Sequence, residues 1–97
     1  MASAMAPMRY EWDETKRAAN LEKHGVDFRD IERFKWTASI AGPDRRMSYG
    51  ELRILAFGPL DGRLHAVVYT RRGPVRRIIS LRKANRREQA AYHSRTG

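Results

Sequence analysis

The spacing of apolar positions along this chain changes period three times, and each change marks a boundary between element types. Met8 to Trp12 (MRYEW) reads as a short strand. Asp13 is then a good N-cap for a helix over Glu14 to His24, closed by Gly25 at the C′ position. Its apolar side is thin, comprising Ala18, Leu21 and Ala19. Asp27 caps a second helix, in which Val26 can staple onto Ile31 and Phe28, Ile31 and Phe34 or Lys35 recur at helical spacing as far as Trp36. The short link between the two predicts a hairpin of helices.

Ile40 to Gly50, punctuated by Gly42-Pro43-Asp44, reads as a loop or irregular strand. Three strand-like runs follow: Glu51 to Phe57, Leu64 to Thr70, and Val75 to Arg82 with its β-branched pair Ile78-Ile79. Gly58-Pro59 with Asp61-Gly62, and then Arg72-Gly73-Pro74, turn the chain between them, which makes successive strands antiparallel neighbours. Asn85 N-caps a last helix over Arg86 to Tyr92, a stretch of strong helix formers without Gly or Pro. Strand, two helices, a three-stranded meander and a C-terminal helix make an α+β fold with helices packed on the sheet. Phe28, Ile31, Leu55, Val68 and Ile79 are the expected core, closed by Trp12 and Trp36.

Composition narrows the classes of function. Ninety-seven residues suit one small domain, assigned to residues 8–97, with a modest core. Residues 1–7 are small and uncharged and read as a leader or expression remnant outside the fold. The chain has no Cys, which excludes disulfides and thiolate metal sites. No apolar run approaches the roughly 20 residues that span a bilayer, so a cytoplasmic location is expected. The net charge of +9 is uneven. Residues 71–97 hold nine Lys or Arg and one Glu (+8), whereas residues 1–70 hold eleven and ten acids (+1). One end of the molecule therefore calls for a polyanionic or acidic partner, and no apolar face accompanies the charge to suit a membrane surface.

The basic stretch from Arg76 to Arg87 carries six cations and no acid. Arg82, Lys83, Arg86 and Arg87 surround a helix start, where the macrodipole disfavours cations by roughly 0.3–1 kcal/mol unless an anion arrives. Strand alternation places Arg76, Ser80 and Arg82 on one face. Glu88 and Tyr92, four apart, share a helix face, with Glu88 available to hold an arginine and Tyr92 to offer a phenol to phosphate or a base. His24 closes its helix as Lys23-His24-Gly25, a position the dipole favours for a cation. His65 and His93 are scattered from it without i, i+4 ligand spacing, so no metal site is expected. No P-loop, GxGxxG, Ser-His-Asp or nucleophilic Cys arrangement is present.

Two segments together resemble the BrnT family of bacterial toxins. Tyr10-Glu11-Trp12-Asp13-Glu14, Lys16, Asn20-Leu21, Lys23-His24-Gly25-Val26 and Phe28 resemble the opening of the family. Asp61-Gly62-Arg63, Val67-Val68-Tyr69-Thr70, Arg77-Ile78-Ile79-Ser80, Arg82-Lys83-Ala84, Arg86-Arg87-Glu88 and Tyr92 resemble its close. Leu81 and Asn85 stand where the family usually has Ala and Thr; Asn caps a helix as Thr does. The resemblance implies a RelE/ParE-like fold and a type II toxin–antitoxin system. In such a system a ribonuclease toxin blocks translation and a BrnA-type antitoxin neutralises it. DNA is met only through the antitoxin, and a toxin homodimer within the complex stays open. Related folds include gyrase poisons, so fold alone does not fix the target.

The reaction expected on that basis is metal-independent RNA cleavage, with no cofactor, in which a ribose 2′-hydroxyl attacks the adjacent phosphate. Arg82 and Arg77 or Arg76 are the expected phosphate ligands, with Lys83, Arg86 and Arg87 nearby. His24 is the candidate acid or base, with Lys23 and Tyr92 behind it. The rival readings are a basic module that binds nucleic acid or an acidic protein without cleaving, and a ParE-like gyrase inhibitor.

Overall fold

The computed structural model describes residues 9–45 and 50–96. The expected leader at residues 1–7, Met8, and residues 46–49 of the expected loop lie outside the described residues. Helix α1 spans Glu14–His24, with the Asp13 carboxylate accepting from the Lys16 N–H and Gly25 at φ 71° donating its N–H to the Leu21 carbonyl. Both ends match the sequence reading. The second helix does not form as an α-helix. It becomes two 3₁₀ helices, Phe28–Arg33 and Trp36–Ala38, with Phe34 extended between them and bridged to Leu60. The cause is the spacing of its apolar residues. Phe28, Ile31 and Phe34 recur every three positions, so a turn of three residues stacks them on one side, whereas 3.6 residues per turn would carry Phe34 off the face. All three are buried.

Five strands form one sheet in the order β1-β5-β4-β3-β2: β1 Arg9–Trp12, β2 Ile40–Pro43, β3 Ile54–Leu60, β4 Arg63–Arg72 and β5 Val75–Lys83. The expected meander is β3-β4-β5, antiparallel throughout. β2 extends it antiparallel at one edge, while β1 joins β5 in parallel at the other, so the sheet is mixed rather than wholly antiparallel. Gly58-Pro59 lies inside β3 rather than in a turn. Asp61 and Gly62 alone make the hairpin, at φ 51° and 80°, the pair of positive values that a two-residue turn matched to strand twist needs. Helix α2 runs Arg86–Thr96, past the expected end at Tyr92. Among the described residues no helix is long and apolar enough to cross a membrane.

One face of the sheet carries Ala56, Val67, Tyr69, Ile78 and Leu81 against Val26, Phe28, Ile31 and Phe34. Trp12 and Trp36 pack at its margin, as expected, and the Trp36 indole N–H donates to the Tyr10 hydroxyl at 2.6 Å. Val68 is buried as expected, though on the sheet face turned away from the 3₁₀ helices. The expected core is corrected at two positions, Leu55 and Ile79, which are only half-buried. A register shift causes this in β5. Val68 pairs with Ser80 and Tyr69 with Ile78, so Ile79 is an extra residue, and Ile78 and Leu81 both point inward although they are three apart.

β1 pairs only with Val75–Ile78, which leaves the outer edge of β5 open beyond Ile78. Helix α1 fills that edge through Asn20, only 8% exposed. Its carboxamide accepts from the Leu81 N–H at 3.2 Å and donates to the Leu81 carbonyl at 2.7 Å and the Val26 carbonyl at 3.0 Å. The side chain thus serves β5 as a neighbouring strand would.

Gly58 tests the packing between β3 and the 3₁₀ segment. A Cβ there would lie 2.7 Å from Phe34 Cζ and 3.2 Å from Ser39 Cβ, and Phe34 is held in the core. Gly58→Ala is expected to cost about 1–3 kcal/mol, as overpacking does. Urea unfolding measures it, and an unchanged midpoint would contradict this packing.

Candidate active site

Three element ends converge: the last turn of α1, the end of β5 and the first turn of α2. The polar stripe of α1 explains the first. Arg17, Asn20 and His24 follow helical spacing and turn inward, while Leu21 is 41% exposed, the reverse of the expected apolar side. Arg17 donates to Glu14 and, at 3.1 Å, to Asp27, the cap of the first 3₁₀ helix. Asn20 fastens the helix to Leu81 and to Val26, so the Lys23-His24-Gly25 turn is held on both sides.

At the end of β5, Leu81 points into the core and Arg82 to the opposite face. The Arg82 guanidinium meets the Glu88 carboxylate in a two-pronged contact of 2.8 and 2.9 Å, and also donates to the Lys83 carbonyl at 3.3 Å. Glu88 at the same time accepts from the Asn85 N–H at 2.9 Å, while the Asn85 side chain accepts from the Glu88 N–H at 2.8 Å. This reciprocal cap satisfies two donors at the helix start. Asn85 caps the helix as the sequence reading has it, and Glu88 holds an arginine. The carboxylate also offsets cations that would otherwise oppose the helix dipole. Lys83, Arg86 and Arg87 are exposed around this junction.

His24 is half-buried at the same junction. Its pKa is lowered from the ordinary 6.5, first by desolvation and then by the charges of Lys23 and Arg82. The imidazole therefore leans toward its neutral form near neutral pH. His24, Lys23 and Arg82 are thus within electrostatic reach of one another.

The structure separates other expected site residues from this group. Arg76 does not share a face with Arg82. The extra residue Ile79 puts Arg76 on the core side, where its guanidinium lies 3.7 Å above the Trp36 ring and 5.3 Å from the Tyr69 ring. Its Nε and Nη1 are buried without a hydrogen-bond acceptor among the described residues. Arg77 takes the outer face instead, paired with Glu11 at 3.0 Å. Tyr92 lies one turn beyond Glu88 on α2, but its hydroxyl donates to the Ala38 carbonyl at 2.6 Å and ties the helix to the segment before β2. Between α2 and the sheet lies a groove of about 440 Å³ floored by Ile40, Leu55 and Phe57 and flanked by Arg87 and Arg95. His65 is buried in β4 with Nδ1 2.8 Å from the Arg63 carbonyl, apart from the junction. Among the described residues no three His, Asp or Glu side chains stand together as an ion site.

Asn20 is the residue that sequence reasoning missed. A poor helix former in mid-helix, in register with Arg17 and His24, is the signal that marks it.

The family model for the ribonuclease toxin BrnT of type II toxin–antitoxin systems matches residues 12–88. A crystal structure of the Brucella abortus ribonuclease toxin BrnT is similar at 32% identity and a TM-score of 0.66, covering 82% of this chain and 100% of that one. The α+β reading of the sequence agrees with that likeness. No curated protein sequence matches the chain.

The lowered pKa of His24 fixes a sign. In the unfolded chain the imidazole, at about 6.5, binds a proton that the folded protein resists, so stability rises with pH through the window below about 6.5 and levels off above it. Urea midpoints at about pH 5 and about pH 7.5 should therefore differ more for the wild type than for His24→Gln. Equal differences in the two proteins would contradict the assigned environment of His24.

Proposed function

The chain belongs to the BrnT family of ribonuclease toxins of type II toxin–antitoxin systems, and we propose that it cuts RNA internally, without a metal, by transesterification. The 2′-oxygen bonds to the adjacent phosphorus and the bond from phosphorus to the 5′-oxygen breaks. The proton of the 2′-hydroxyl passes to a base, the leaving 5′-oxygen takes up a proton, and a 2′,3′-cyclic phosphate remains. RNA brings its own nucleophile, so the protein needs a base, an acid and positive charge for the phosphorane-like state.

The observation that carries this reading is the convergence of a neutral-leaning imidazole with a guanidinium oriented by a carboxylate. His24, whose lowered pKa favours the neutral imidazole, is the base. Arg82, held by Glu88, stabilises charge on the phosphoryl oxygens, and a donor fixed before the reaction costs no reorganisation during it. Lys23 and Lys83 add field and supply a proton donor for the leaving oxygen. Arg86 and Arg87 contact phosphates beyond the scissile one, and Arg77 does so on the same sheet face. Arg76 and Tyr92 are assigned structural work, in the aromatic cluster and in fastening α2.

A type II system implies an antitoxin partner. We assign that role to a BrnA-type protein whose acidic segment covers the basic C-terminal surface in the cytoplasm, with salt weakening the exposed contacts over about 8–10 Å of screening.

A short RNA and its all-deoxy counterpart test the reaction. The wild type is expected to cut only the RNA, in the presence of EDTA, leaving a cyclic phosphate end. Arg82→Ala should lower the rate by about 10²–10³-fold, as loss of a preorganised donor does. Arg82→Lys should be harmful but less so, since charge remains while the fork geometry is lost. His24→Ala should cost on the order of 10²-fold while RNA is still bound. Wild-type cleavage by a folded Arg82→Ala protein would remove Arg82 from the site; loss of activity in EDTA would overturn metal independence.

A further inference from the structure

Arg77 and Arg82 are five positions apart, an odd spacing that a regular strand would place on opposite faces. The extra residue in β5 reverses this. Arg77 lies opposite Thr70, Ile78 opposite Tyr69, Ser80 opposite Val68 and Arg82 opposite Ala66. Since Val67, Tyr69, Ile78 and Leu81 all face the core, Arg77, Ser80 and Arg82 all face outward. The bulge re-aims one half of β5 relative to the other and assembles a shared guanidinium face.

The same alternation brings two further arginines to that face. Val75 pairs with Arg72 of β4 on one side and Arg9 of β1 on the other. Both arginines are exposed at the hairpin end of β5, opposite the end where α2 sits. Across β1, β4 and β5 this face carries Arg9, Arg72, Arg77 and Arg82; Glu11 of β1 engages Arg77 and Glu88 of α2 engages Arg82, which leaves the excess of positive charge at the hairpin end.

We propose that Arg9 and Arg72 form a second phosphate-binding subsite, so that single-stranded RNA lies along β5 from the hairpin end to the scissile position at Arg82. This rests on the RNA-cleaving reading of the site. From Val75 to Arg82 the strand advances about 20 Å at roughly 3.3 Å per residue, with one position absorbed by the bulge. That length suits a few nucleotides, near the low end of the roughly 4–16 found for single-strand grooves. Contacts are to phosphates, so the subsite adds affinity without reading sequence.

Uncleavable 2′-O-methyl oligonucleotides of two and eight nucleotides, followed by fluorescence anisotropy across a salt series, test the proposal. Arg9→Gln with Arg72→Gln should weaken octamer binding by about 10-fold at low salt and reduce the salt slope by about 1.4, two contacts at about 0.7 each for a single strand. Dimer binding should be unchanged. A control with the same loss of charge away from this face, Lys16→Gln with Lys35→Gln, should leave the octamer slope intact. An unchanged octamer slope in the arginine pair, or parallel weakening of dimer and octamer, would overturn the subsite. Unaltered octamer affinity with weakened binding of a poly-glutamate peptide would overturn it too and give the face to an acidic protein. Cleavage by a wild type whose affinity ignores length sinks this inference alone, whereas a wild type that binds no RNA sinks the cleavage reading as well.

Discussion

The carboxamide of Asn20 is the contact on which the arrangement depends. β5 sits between β1 and β4, but β1 ends level with Ile78, and the next outward N–H and C=O groups, at Leu81, would be buried with no partner. Asn20 gives Leu81 both a donor and an acceptor and uses its second N–H for the Val26 carbonyl. An unsatisfied buried donor or acceptor costs about 1–3 kcal/mol, so one side chain removes several such penalties. It also fixes three pieces at once: α1 against the sheet edge, the Gly25-Val26 link to the first 3₁₀ helix, and the His24 side chain beside the end of β5. A leucine at position 20 would supply apolar area and leave those backbone groups unmet.

A second coupling lies at the start of α2. Glu88 closes the helix cap with Asn85 and holds Arg82 in the same stroke. A residue that stabilises a helix end thereby sets the direction of a strand-end guanidinium. Helix α2 itself buries no residue and is fastened by this pair and by the Tyr92 hydroxyl on Ala38. Its stability and the geometry of Arg82 are therefore linked, which suits a site whose proposed work is to present charge in a fixed direction.

Much of this was legible in the sequence where local chemistry decides. Asp13 and Gly25 delimit α1, Asp61-Gly62 makes a hairpin, and Asn85 with Glu88 starts the last helix. Joining the two ends of the chain took the family pattern around Lys23-His24-Gly25 and Arg82-Lys83, which identified the ribonuclease-toxin family; no single motif did so. Three features stayed hidden because each depends on partners far along the chain. The bulge at Ile79 is a property of pairing between β4 and β5, and without it strict alternation assigns Arg76 and Ile79 to the wrong faces. The parallel pairing of β1 leaves no local trace. The inward side of α1 is polar, so a search for an apolar stripe selects Ala18 and Leu21 and passes over Arg17, Asn20 and His24. The 3₁₀ segment is a milder case, because Phe28, Ile31 and Phe34 fit three residues per turn better than 3.6, and that difference can be read beforehand.

Amide hydrogen exchange at Leu81 tests the central claim most directly. An N–H at an open strand edge exchanges readily, whereas one closed by a buried side-chain acceptor opens only with a large part of the fold. The account predicts that Leu81 in the wild-type protein is protected as well as the amides in the middle of β4, and that Asn20→Ala loses protection at Leu81 while β4 keeps its own. A Leu81 amide that exchanges as fast as an exposed edge amide in the wild type would contradict the clamp, and with it the placement of His24 beside Arg82.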